Sequence, residues 1–477
     1  MNKKKLAAFY TPTHTVDYIL DQLHTIHPLD ATAMILEPSG GDGIFVSCIH
    51  KNFPQVIPNH IDVRDINPKV KKNITSLGAN FAVKDSLLQT RTIGHKRYSH
   101  IIGNPPYLDK QSDYIKKNKQ FLHKYYKQIW VIDTYAMFIY MSSKLLQENG
   151  VLGCIVSDTF LTLGRHKKFR AFLLKNYTVH QITICPRKLF EGAAVNTCIL
   201  IIQKKKPLPT HHIHINDCRE KEVGDYSWDS YTHNQHATYN HPDHIILTNN
   251  DGHLISYLQT DDKMTDHLEW WLGMHTKDNN KYLAAIDYNG IQYGKRKTIT
   301  KKITLDKVDG KKRKFYHKLG GDYKYYLPTE YAVKRDDISR QNYGIPSSGA
   351  VDNNRPWILI SGVCNGLSAR VSTPWAMRES NKAMCFFPKN PETYPPEYFI
   401  GLLNSASYGK ILKLINHTYS LQIRDIKKLP MIHLAKTDKK FLIQTVQSII
   451  QQQKKDSAYD YQSEQHTIDT IVQKYIS

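Results

Sequence analysis

The alternation of two kinds of apolar segment in the first 205 residues constrains the fold of this chain more than any other feature. Short apolar runs that predict buried strands alternate there with segments whose apolar residues recur at helical spacing. Such alternation is typical of a parallel sheet with helices packed on its faces, so we predict an α/β domain. The predicted strands are residues 34–36, 61–63, 79–83, 100–103, 151–156 and 195–203, and the predicted helices are 15–25 and 134–147.

A run of Lys and Pro residues at 204–209 ends this alternation and predicts a domain boundary near residue 205. The residues beyond it form short strand-like segments rich in Tyr and His, and 438–454 and 460–475 predict two closing helices. A chain of 477 residues is long enough for two domains. We predict one over residues 1–205 and a second, mixed α+β domain over 206–477.

The chain is strongly basic. It has 65 Lys and Arg residues against 43 Asp and Glu residues, which is a formal net charge of +22. An excess of this size predicts a polyanionic partner, because cations clustered on a surface gain affinity by releasing counterions from phosphates. Charge alone leaves open a generally basic protein without such a partner.

Neither membrane insertion nor export is expected. The longest apolar runs, such as residues 195–202, are far shorter than the ~20 residues that span a bilayer. The lysine-rich start is followed by too short an apolar stretch for a signal peptide. Seven cysteines are dispersed without a Cys-x-x-Cys pair, as in proteins that keep their thiols reduced. We expect a cytoplasmic protein that does not bind membranes.

The segment 37–45, Glu-Pro-Ser-Gly-Gly-Asp-Gly-Ile-Phe, follows the first predicted strand. Glycines allow the backbone to approach a ligand closely, and α/β sheets bind cofactors at the carboxyl ends of their strands. Asp65 and Asp85 follow the second and third strands, where a carboxylate can accept hydrogen bonds from ribose hydroxyls. Each feature alone also fits an ordinary turn, helix cap or solvated residue. Together they favour a nucleoside-bearing cofactor.

The segment Asn104-Pro105-Pro106-Tyr107 directly follows the fourth predicted strand. The prolines stiffen the turn and hold its carbonyl groups in place, and the asparagine supplies an amide oxygen that accepts hydrogen bonds. Two such acceptors can hold an exocyclic amine with its lone pair directed for attack, while the tyrosine ring offers a face on which a base can stack. The alternative is a Pro-Pro turn that closes a strand.

In order and spacing, these segments resemble the gamma-class adenine-N6 DNA methyltransferases of restriction–modification systems, the Asn-Pro-Pro-Tyr family, which use S-adenosyl-L-methionine. The resemblance covers residues 9 to about 203. It implies a Rossmann-like S-adenosylmethionine-dependent methyltransferase domain with a mostly parallel sheet, followed by a DNA target-recognition domain. The glycine loop departs from the family pattern, since Glu-Pro-Ser-Gly-Gly replaces the usual Asp/Glu-Pro-Ala-Cys-Gly.

The resemblance also implies roles for individual residues. The side-chain oxygen of Asn104 and the carbonyl oxygen of Pro105 would accept the N6 hydrogens of a flipped adenine, and Tyr107 and Phe190 would stack on its faces. The nitrogen would attack the cofactor methyl group directly, so catalysis would rest on positioning. No metal is predicted, since the histidines among residues 211–214 lack Cys or acidic partners at ligand spacing. The residues implied to bind the cofactor are Tyr10, Thr11, Glu37, Ser39, Gly41, Asp65, Ile66, Asp85, Ser86, Pro106 and Phe138.

Two lysine-rich segments are candidate DNA-binding surfaces. Residues 110–130 interleave lysines with tyrosines, which suits phosphate contacts beside a flipped base and also fits a solvated basic helix face. The second segment, 295–314, is a candidate loop around the duplex. The candidate DNA-binding residues are Lys116, Lys117, Lys295, Arg296, Lys297, Lys311, Lys312 and Arg313.

The predicted function is site-specific methylation of adenine N6 in double-stranded DNA by the modification enzyme of a restriction–modification system. Because the family pattern starts at residue 9, we expect no nuclease domain before it and a cognate endonuclease that is encoded separately. N4-cytosine methylation uses the same physics and stays open, as does a protein-glutamine or RNA substrate. A DNA-binding module without activity is the alternative from another class, and the oligomeric state is left open.

Overall fold

The structure of the chain is a computed structural model. It divides into two compact units, Met1–Asn250 and Asp251–Ser477. The residues that the structure describes are 11–89, 97–108, 110–130, 133–187, 189–190, 196–227, 229–241, 243–246, 254, 257–258, 260–271, 275–276, 278–293, 299–309, 311–318, 320–334, 343–344, 357–364, 366–373, 376–378, 382–416 and 420–476.

The described strands of the first unit form a nine-stranded sheet in the order β3-β2-β1-β4-β5-β7-β6-β8-β9. The strands from β1 to β5 are parallel, β7 runs antiparallel between β5 and β6, β8 is parallel to β6, and β9 is antiparallel to β8. The strands are β1 (Ile35–Glu37), β2 (Ile61–Asp65), β3 (Asn80–Val83), β4 (Tyr98–Gly103), β5 (Leu146–Ser157), β6 (Thr178–Ile184), β7 (Thr197–Gln203), β8 (His212–Asp217) and β9 (Asp229–Asn234).

Helices cover both faces of this sheet. Successive strand residues point to opposite faces, so Ile35 and Ile102 pack with α1 and α2, whereas Leu36 and Ile101 pack with α6 and α7. β1 and residues 151–156 of β5 are buried throughout and mostly apolar, as expected of strands covered on both faces, whereas β2 contains charged residues and the edge strand β3 is partly exposed. The helices are α1 (Thr13–Ile26), α2 (Ile44–Asn52), α3 (Lys71–Ser76), α4 (Asp113–Lys117), α5 (Lys119–Tyr125), α6 (Thr134–Leu145), α7 (Lys167–Asn176) and α8 (Gln235–Asn240).

The strand order reverses between β1 and β4, since the chain builds β2 and β3 on one side of β1 and then crosses to place β4 on the other. In open α/β sheets the crevice at such a switch point, outside the carboxyl ends of the strands, is where ligands bind. The glycine loop follows β1 and the Asn104–Tyr107 segment follows β4. The fold therefore brings the two predicted motifs to one crevice.

The first unit ends later than the boundary predicted at residue 205. The backbone N–H of Lys204 donates to the Gly150 carbonyl at 2.8 Å, and the Thr178 hydroxyl donates to the Lys205 carbonyl at 3.0 Å. The lysine run is thereby tied to the sheet instead of linking two domains. The sheet then continues through β8 and β9, and the compact unit extends to Asn250.

The second unit combines small sheets with helices, as a mixed α+β domain does. Its described strands form a five-stranded sheet β13-β12-β15-β14-β19, a four-stranded sheet β10-β20-β17-β18 and the pair β11-β16. The strands are β10 (Leu268–Trp271), β11 (His275–Thr276), β12 (Leu283–Asp287), β13 (Lys302–Thr304), β14 (Arg313–His317), β15 (Tyr331–Lys334), β16 (Tyr343–Gly344), β17 (Ile358–Ser361), β18 (Ala369–Val371), β19 (Met377–Arg378) and β20 (Ala383–Pro388).

The two predicted closing helices are present as α13 and α14, and α13 packs its apolar residues against α10. The helices of this unit are α9 (Asn279–Tyr282), α10 (Pro396–Asn404), α11 (Ala406–Ile415), α12 (Ile423–Ile426), α13 (Lys436–Lys455) and α14 (Gln462–Gln473). In the part of the chain that the structure describes, no helix has the length and apolar character needed to cross a bilayer. All seven cysteines are free and buried.

Candidate active site

The loop between β1 and α2 makes a tight turn that favours glycine. The Gly40 N–H donates to the Arg64 carbonyl at 2.9 Å, and a Cβ atom on Gly40 would lie 2.2 Å from Cγ1 of Val63. Gly43, the residue before α2, has a φ of +88°, a left-handed conformation that glycine adopts without strain. Open space remains beside Gly41, where nothing lies within 4 Å of a Cβ position. The loop thus presses against β2 and leaves room for a ligand.

Asp65, at the end of β2, is tied to this loop. One carboxylate oxygen accepts a hydrogen bond from the Gly41 N–H at 2.9 Å, and the other accepts from the Asn67 N–H at 2.7 Å. A carboxylate has about four acceptor positions, so both oxygens can accept a further donor. The side chain is held in place with acceptor capacity to spare.

Glu37, the last residue of β1, is a buried carboxyl group, with 1% of its surface exposed. Its Oε2 atom has no hydrogen-bond partner in the described part of the chain. Burial raises the pKa of Glu37 well above its usual value, and the negative charges of Asp42 and Asp65 raise it further. A buried oxygen without a donor is costly, so this group is suited to a ligand that brings a donor or a positive charge.

The end of β3 supplies two further predicted residues. The Ser86 hydroxyl donates to the Pro38 carbonyl at 2.8 Å. Asp85 accepts two backbone N–H groups at 3.0 and 3.1 Å and the Tyr114 hydroxyl at 3.0 Å. Tyr114 was predicted only as part of a DNA-binding segment, and its contact with a residue 29 positions away has no local signal in the sequence.

Asn104 is oriented by hydrogen bonds on both sides of its amide. Its Nδ2 atom donates to Oγ1 of Thr11 at 3.1 Å, and its Oδ1 atom accepts from the Tyr107 hydroxyl at 2.7 Å. The same hydroxyl lies 3.0 Å from the Ile155 carbonyl. These contacts hold the Asn104 amide in place at the cleft.

Thr134, the first residue of α6, braces the turn that follows Asn104, and sequence reasoning missed it. Its hydroxyl donates to the Pro106 carbonyl and accepts the Leu108 N–H at 2.9 Å, while its own N–H donates to the Leu108 carbonyl at 3.0 Å. A buried threonine at the start of a helix can make such bonds, but the sequence does not indicate their target. The rigidity expected from the two prolines is thus completed by a third residue.

These residues enclose one open cleft at the switch point of the sheet. Its empty volume, which includes the open mouth, is about 1080 Å³. Acidic groups and apolar side chains share the lining. The described lining residues are Thr11, Glu37, Pro38, Ser39, Gly40, Gly41, Asp42, Ile44, Phe45, Asp65, Ile66, Lys84, Asp85, Ser86, Leu87, Asn104, Pro106, Leu108, Tyr114, Thr134 and Phe138.

The cleft brings together every predicted cofactor-binding residue except Tyr10, which lies outside the described residues. Of the four predicted catalytic residues, only Asn104 is among the described lining residues. Pro105 is buried, and Tyr107 is half-buried with its hydroxyl directed inward. Phe190 is 6% exposed and packs in the apolar core around α1 and α2. The structure therefore does not present Phe190 as a stacking surface in the cleft.

The tyrosines of segment 110–130 serve the fold. Tyr126 is 3% exposed and its hydroxyl donates to the Leu87 carbonyl at 2.9 Å, and Tyr125 stacks on Phe121 at 4.2 Å between ring centroids. Lys116 and Lys117 of α4 are exposed, as a phosphate contact requires. Lys116 and Lys117 therefore remain candidates for phosphate contacts, whereas Tyr125 and Tyr126 pack within the fold.

The second unit contains a strongly basic groove along β12, β13 and β15, with an empty volume of about 1020 Å³. Five exposed lysines and one arginine line it, and Asp287 is the one acidic residue among the described lining residues. The cations are Lys281, Lys301, Lys302, Lys307, Arg313 and Lys334.

Of the residues predicted to bind DNA in the second half, Arg313 lines this groove. Lys311 and Lys312 are exposed next to it, and their backbone N–H groups donate to Asp309 Oδ1 at 2.9 and 2.7 Å. Residues 295–297 lie outside the described residues. Lys281 and Lys334 lie outside the predicted segment 295–314, and they were missed because the sheet brings them to the groove from separate parts of the sequence.

The comparisons with known proteins agree with this geometry. Residues 47–190 match the model of the family described as Eco57I restriction-modification methylase. The Type II methyltransferase M.HincII of Haemophilus influenzae is 28% identical over 219 residues, which cover 44% of this chain and 40% of that protein. M.BstVI of Geobacillus stearothermophilus is 29% identical over 213 residues, 37% of each protein. The chain thus matches half or less of the length of these curated relatives.

Two solved structures resemble the fold over most of the chain. A nuclease-deletion mutant of the Type ISP restriction-modification enzyme LlaGI, in complex with a DNA substrate mimic, has a TM-score of 0.60 at 14% identity and covers 93% of this chain and 54% of that one. The DrdV–DNA complex has a TM-score of 0.56 at 12% identity, with 94% and 57% covered. Such identities show a shared fold. The match of residues 47–190 to the methylase model confirms, over that part of the chain, the resemblance predicted from the motifs, and S-adenosyl-L-methionine is the cofactor of this type of methylase.

Proposed function

We propose that this protein transfers a methyl group from S-adenosyl-L-methionine to N6 of an adenine flipped out of double-stranded DNA, as the modification enzyme of a restriction–modification system. The observation that carries the proposal is that Asn104 lines the same cleft as Glu37 and Asp65. An acceptor suited to an amino group and acids suited to a nucleoside-bearing cation therefore share one cavity. The family match and the Type II methyltransferase relatives support the same reaction.

The residues at the β1, β2 and β3 ends fit the cofactor. Its ammonium and sulfonium groups are cations, and the unpartnered Oε2 of Glu37 is a buried acceptor in the cleft. Asp65 has acceptor capacity left for ribose hydroxyls. Ile66 and Phe138 add apolar surface that suits a purine. We assign the carboxyl ends of these strands to the cofactor on these grounds.

Asn104 and the turn after it fit the amino group of the target base. Asn104 is assigned one N6 hydrogen, which its Oδ1 atom would accept beside the Tyr107 hydroxyl. Pro105 is assigned the second N6 hydrogen through its carbonyl oxygen. Tyr107 is assigned a double role in this proposal, since its hydroxyl positions Asn104 and its ring is the stacking surface for the base.

The chemistry needs little beyond this positioning. When bound, S-adenosyl-L-methionine supplies a methyl group on a positively charged sulfur. Asn104 and Pro105 hold the amino group by its hydrogens, so that the nitrogen lone pair faces the methyl carbon. A C–N bond forms as the C–S bond breaks, and the surplus N6 proton passes to solvent. Tight placement of two reactants can supply ~7 to 11 kcal/mol of the barrier.

Double-stranded DNA is the proposed substrate because the chain is cationic where a polyanion can bind. The net charge is +22, and six cations line the groove of the second unit. Phosphate contacts of this kind position a duplex, and the target base must leave the stack to reach a methyl donor. An enzyme with this substrate acts in the cytoplasm, and a cognate endonuclease is its expected companion.

Transfer of tritium from labelled S-adenosyl-L-methionine to duplex DNA, followed by nucleoside analysis, tests the proposal. We expect label in N6-methyladenine, and we expect Asn104→Ala to lose it while still binding the cofactor. Asn176→Ala is the matched control, because its exposed amide lies outside the cleft and donates to the Phe172 carbonyl 2.8 Å away on its own helix. Label in N4-methylcytosine would overturn the assigned base, and label only in protein or RNA would overturn the DNA substrate.

A further inference from the structure

Asp262, His267 and His433 of the second unit converge outside the basic groove. Nε2 of His267 lies 2.7 Å from one carboxylate oxygen of Asp262, and Nε2 of His433 lies 2.6 Å from the other. One potential ligand atom from each of the three side chains falls within a 4.8 Å span. The sequence separates the first and last of these residues by 171 positions, so no ligand spacing is visible in it.

Backbone hydrogen bonds hold the three segments in place. The Met431 N–H donates to the Asp262 carbonyl and the Met264 N–H to the Leu429 carbonyl, both at 2.9 Å, so the chain around Asp262 pairs with the segment that leads to His433. His267 stands directly before β10, and its carbonyl accepts the Lys389 N–H at 3.0 Å. Backbone hydrogen bonds within the second unit therefore hold these three residues near one another, independently of the contacts between their side chains.

The outward-facing nitrogen of His433 also has a partner. Its Nδ1 atom lies 2.7 Å from the hydroxyl oxygen of Tyr394. Metal-binding histidines usually pair their second nitrogen with an oxygen atom, which fixes the tautomer and directs the other nitrogen at the ion. If the Nδ1–H donates to Tyr394, the Nε2 lone pair faces the Asp262 carboxylate. Two lone pairs at 2.6 Å need a positive charge between them, either a proton or a metal ion.

We propose that Asp262, His267 and His433 bind a divalent transition-metal ion of the zinc type. Two imidazole nitrogens and one carboxylate oxygen suit zinc and its neighbours better than Mg²⁺ or Ca²⁺, which prefer oxygen ligands alone. Zinc bonds of ~2.0–2.1 Å at tetrahedral angles place ligand atoms about 3.3 Å apart. To admit the ion, the hydrogen-bonded pairs at 2.6 and 2.7 Å must therefore move apart by less than ~1 Å, and the more widely spaced ligand atoms, within 4.8 Å of one another, must close toward the same separation.

The site has one coordination position for solvent. The side chains of Asp262, His267 and His433 are 39%, 27% and 50% exposed, so water reaches the fourth position. We assign the ion a binding role that ties Asp262, the turn before β10 and the segment before α13 together. The assignment is independent of the methyl transfer, because none of these residues lines the cleft at the switch point.

Metal counting on the full chain tests this site. The protein is stripped with EDTA, dialysed against micromolar Zn²⁺ and analysed by atomic emission, in wild type, Asp262→Asn and His433→Gln. We expect each variant to retain one equivalent of zinc fewer than wild type. His466→Gln, a control on the exposed face of α14, should retain as much as wild type. The chain has 24 histidines, so the comparison rests on the difference and not on the total.

A second measurement avoids reliance on the variants. Co²⁺ added to the stripped wild-type protein should give the intense visible absorption of a four-coordinate ion, saturating at one equivalent, and excess Zn²⁺ should remove it. Circular dichroism of the variants shows whether they fold. Equal zinc content in wild type and folded variants, or no such absorption with Co²⁺, would overturn the proposal and leave a hydrogen-bonded His–Asp–His cluster.

Discussion

The carboxyl group of Glu37 lies at the end of β1 with one oxygen that has no partner among the described residues. Burial, reinforced by Asp42 and Asp65, raises its pKa well above the usual value. The free folded protein therefore binds a proton here at pH values where the unfolded chain does not. This group's contribution to stability falls as pH rises from the ordinary glutamate pKa to the raised one.

A cationic cofactor reverses that preference, because it favours the ionised carboxylate. We expect S-adenosyl-L-methionine binding to release up to one proton and to tighten by up to ~tenfold per pH unit as the pH rises toward the raised pKa of Glu37. Calorimetry in buffers of different ionisation enthalpy measures both effects. Glu37→Gln should bind more weakly and lose the proton release, whereas Asp21→Asn, on α1 outside the cleft, should keep it. A pH-independent affinity in wild type would contradict this assignment.

Substitution of two tyrosines should distinguish the residues that bind the target base from those that bind the cofactor. Tyr107→Phe removes the donor to Asn104 Oδ1 and keeps the ring, so we expect kcat to fall about tenfold, the effect of one lost hydrogen bond, with cofactor affinity unchanged. Tyr114→Phe removes the donor to Asp85, so cofactor affinity should fall while kcat at saturation changes little. Steady-state kinetics on DNA at varied cofactor concentration gives both values, and the reverse pattern would refute the division.

At the level of elements, the conformation of the loop after β1 requires a residue without a side chain at Gly40. A Cβ atom there would stand 2.2 Å from Cγ1 of Val63 and 3.3 Å from Ile74, so Gly40→Ala must push the loop away from β2. We expect a loss of ~1–3 kcal/mol in the free energy of unfolding and weaker cofactor binding. Gly164→Ala is the matched control, since nothing lies within 4 Å of its Cβ position. Thermal unfolding with and without cofactor measures the difference, and equal effects would be inconsistent with this packing.

The elements that could be predicted from the sequence are those whose own residues show a clear apolar pattern. The buried strand β7 contains a continuous apolar run, and α13 and α14 have apolar residues at helical spacing. The boundary at residue 205 failed because Lys204 and Lys205 carry the signal of a linker while their backbone groups pair with the sheet. Burial of Phe190 depends on packing around α1 and α2, which a motif does not report.

At the scale of the whole molecule, the part of the site that the sequence predicts is the part located by the switch-point rule for open α/β sheets. Loops that follow β1, β2, β3 and β4 must meet at the switch point, so the glycine loop, Asp65, Asp85 and Asn104 could be placed together from their order in the chain, whereas Thr11 and Phe138 were named only by the family resemblance. No comparable rule brings Lys281 near Lys334, or Asp262 near His433. These arrangements arise from antiparallel pairing over long separations, as when Leu283 pairs with Val333 in the groove sheet.

The basic groove yields the last prediction, because its charge should appear as a salt dependence of DNA binding. Each phosphate contact adds roughly 0.9 to the slope of log K against log salt. We expect replacement of Lys281, Lys302 and Lys334 by Gln to weaken duplex binding at low salt and to reduce that slope by about 2 to 3 if each lysine contacts one phosphate. A triple Gln variant at three exposed lysines outside the groove, Lys413, Lys440 and Lys455, serves as control. Fluorescence anisotropy with a labelled duplex at several salt concentrations gives the slopes. Equal slopes in both variants would mean that DNA is bound elsewhere on the chain, whereas a smaller slope in the groove variant alone would assign the phosphates to this sheet.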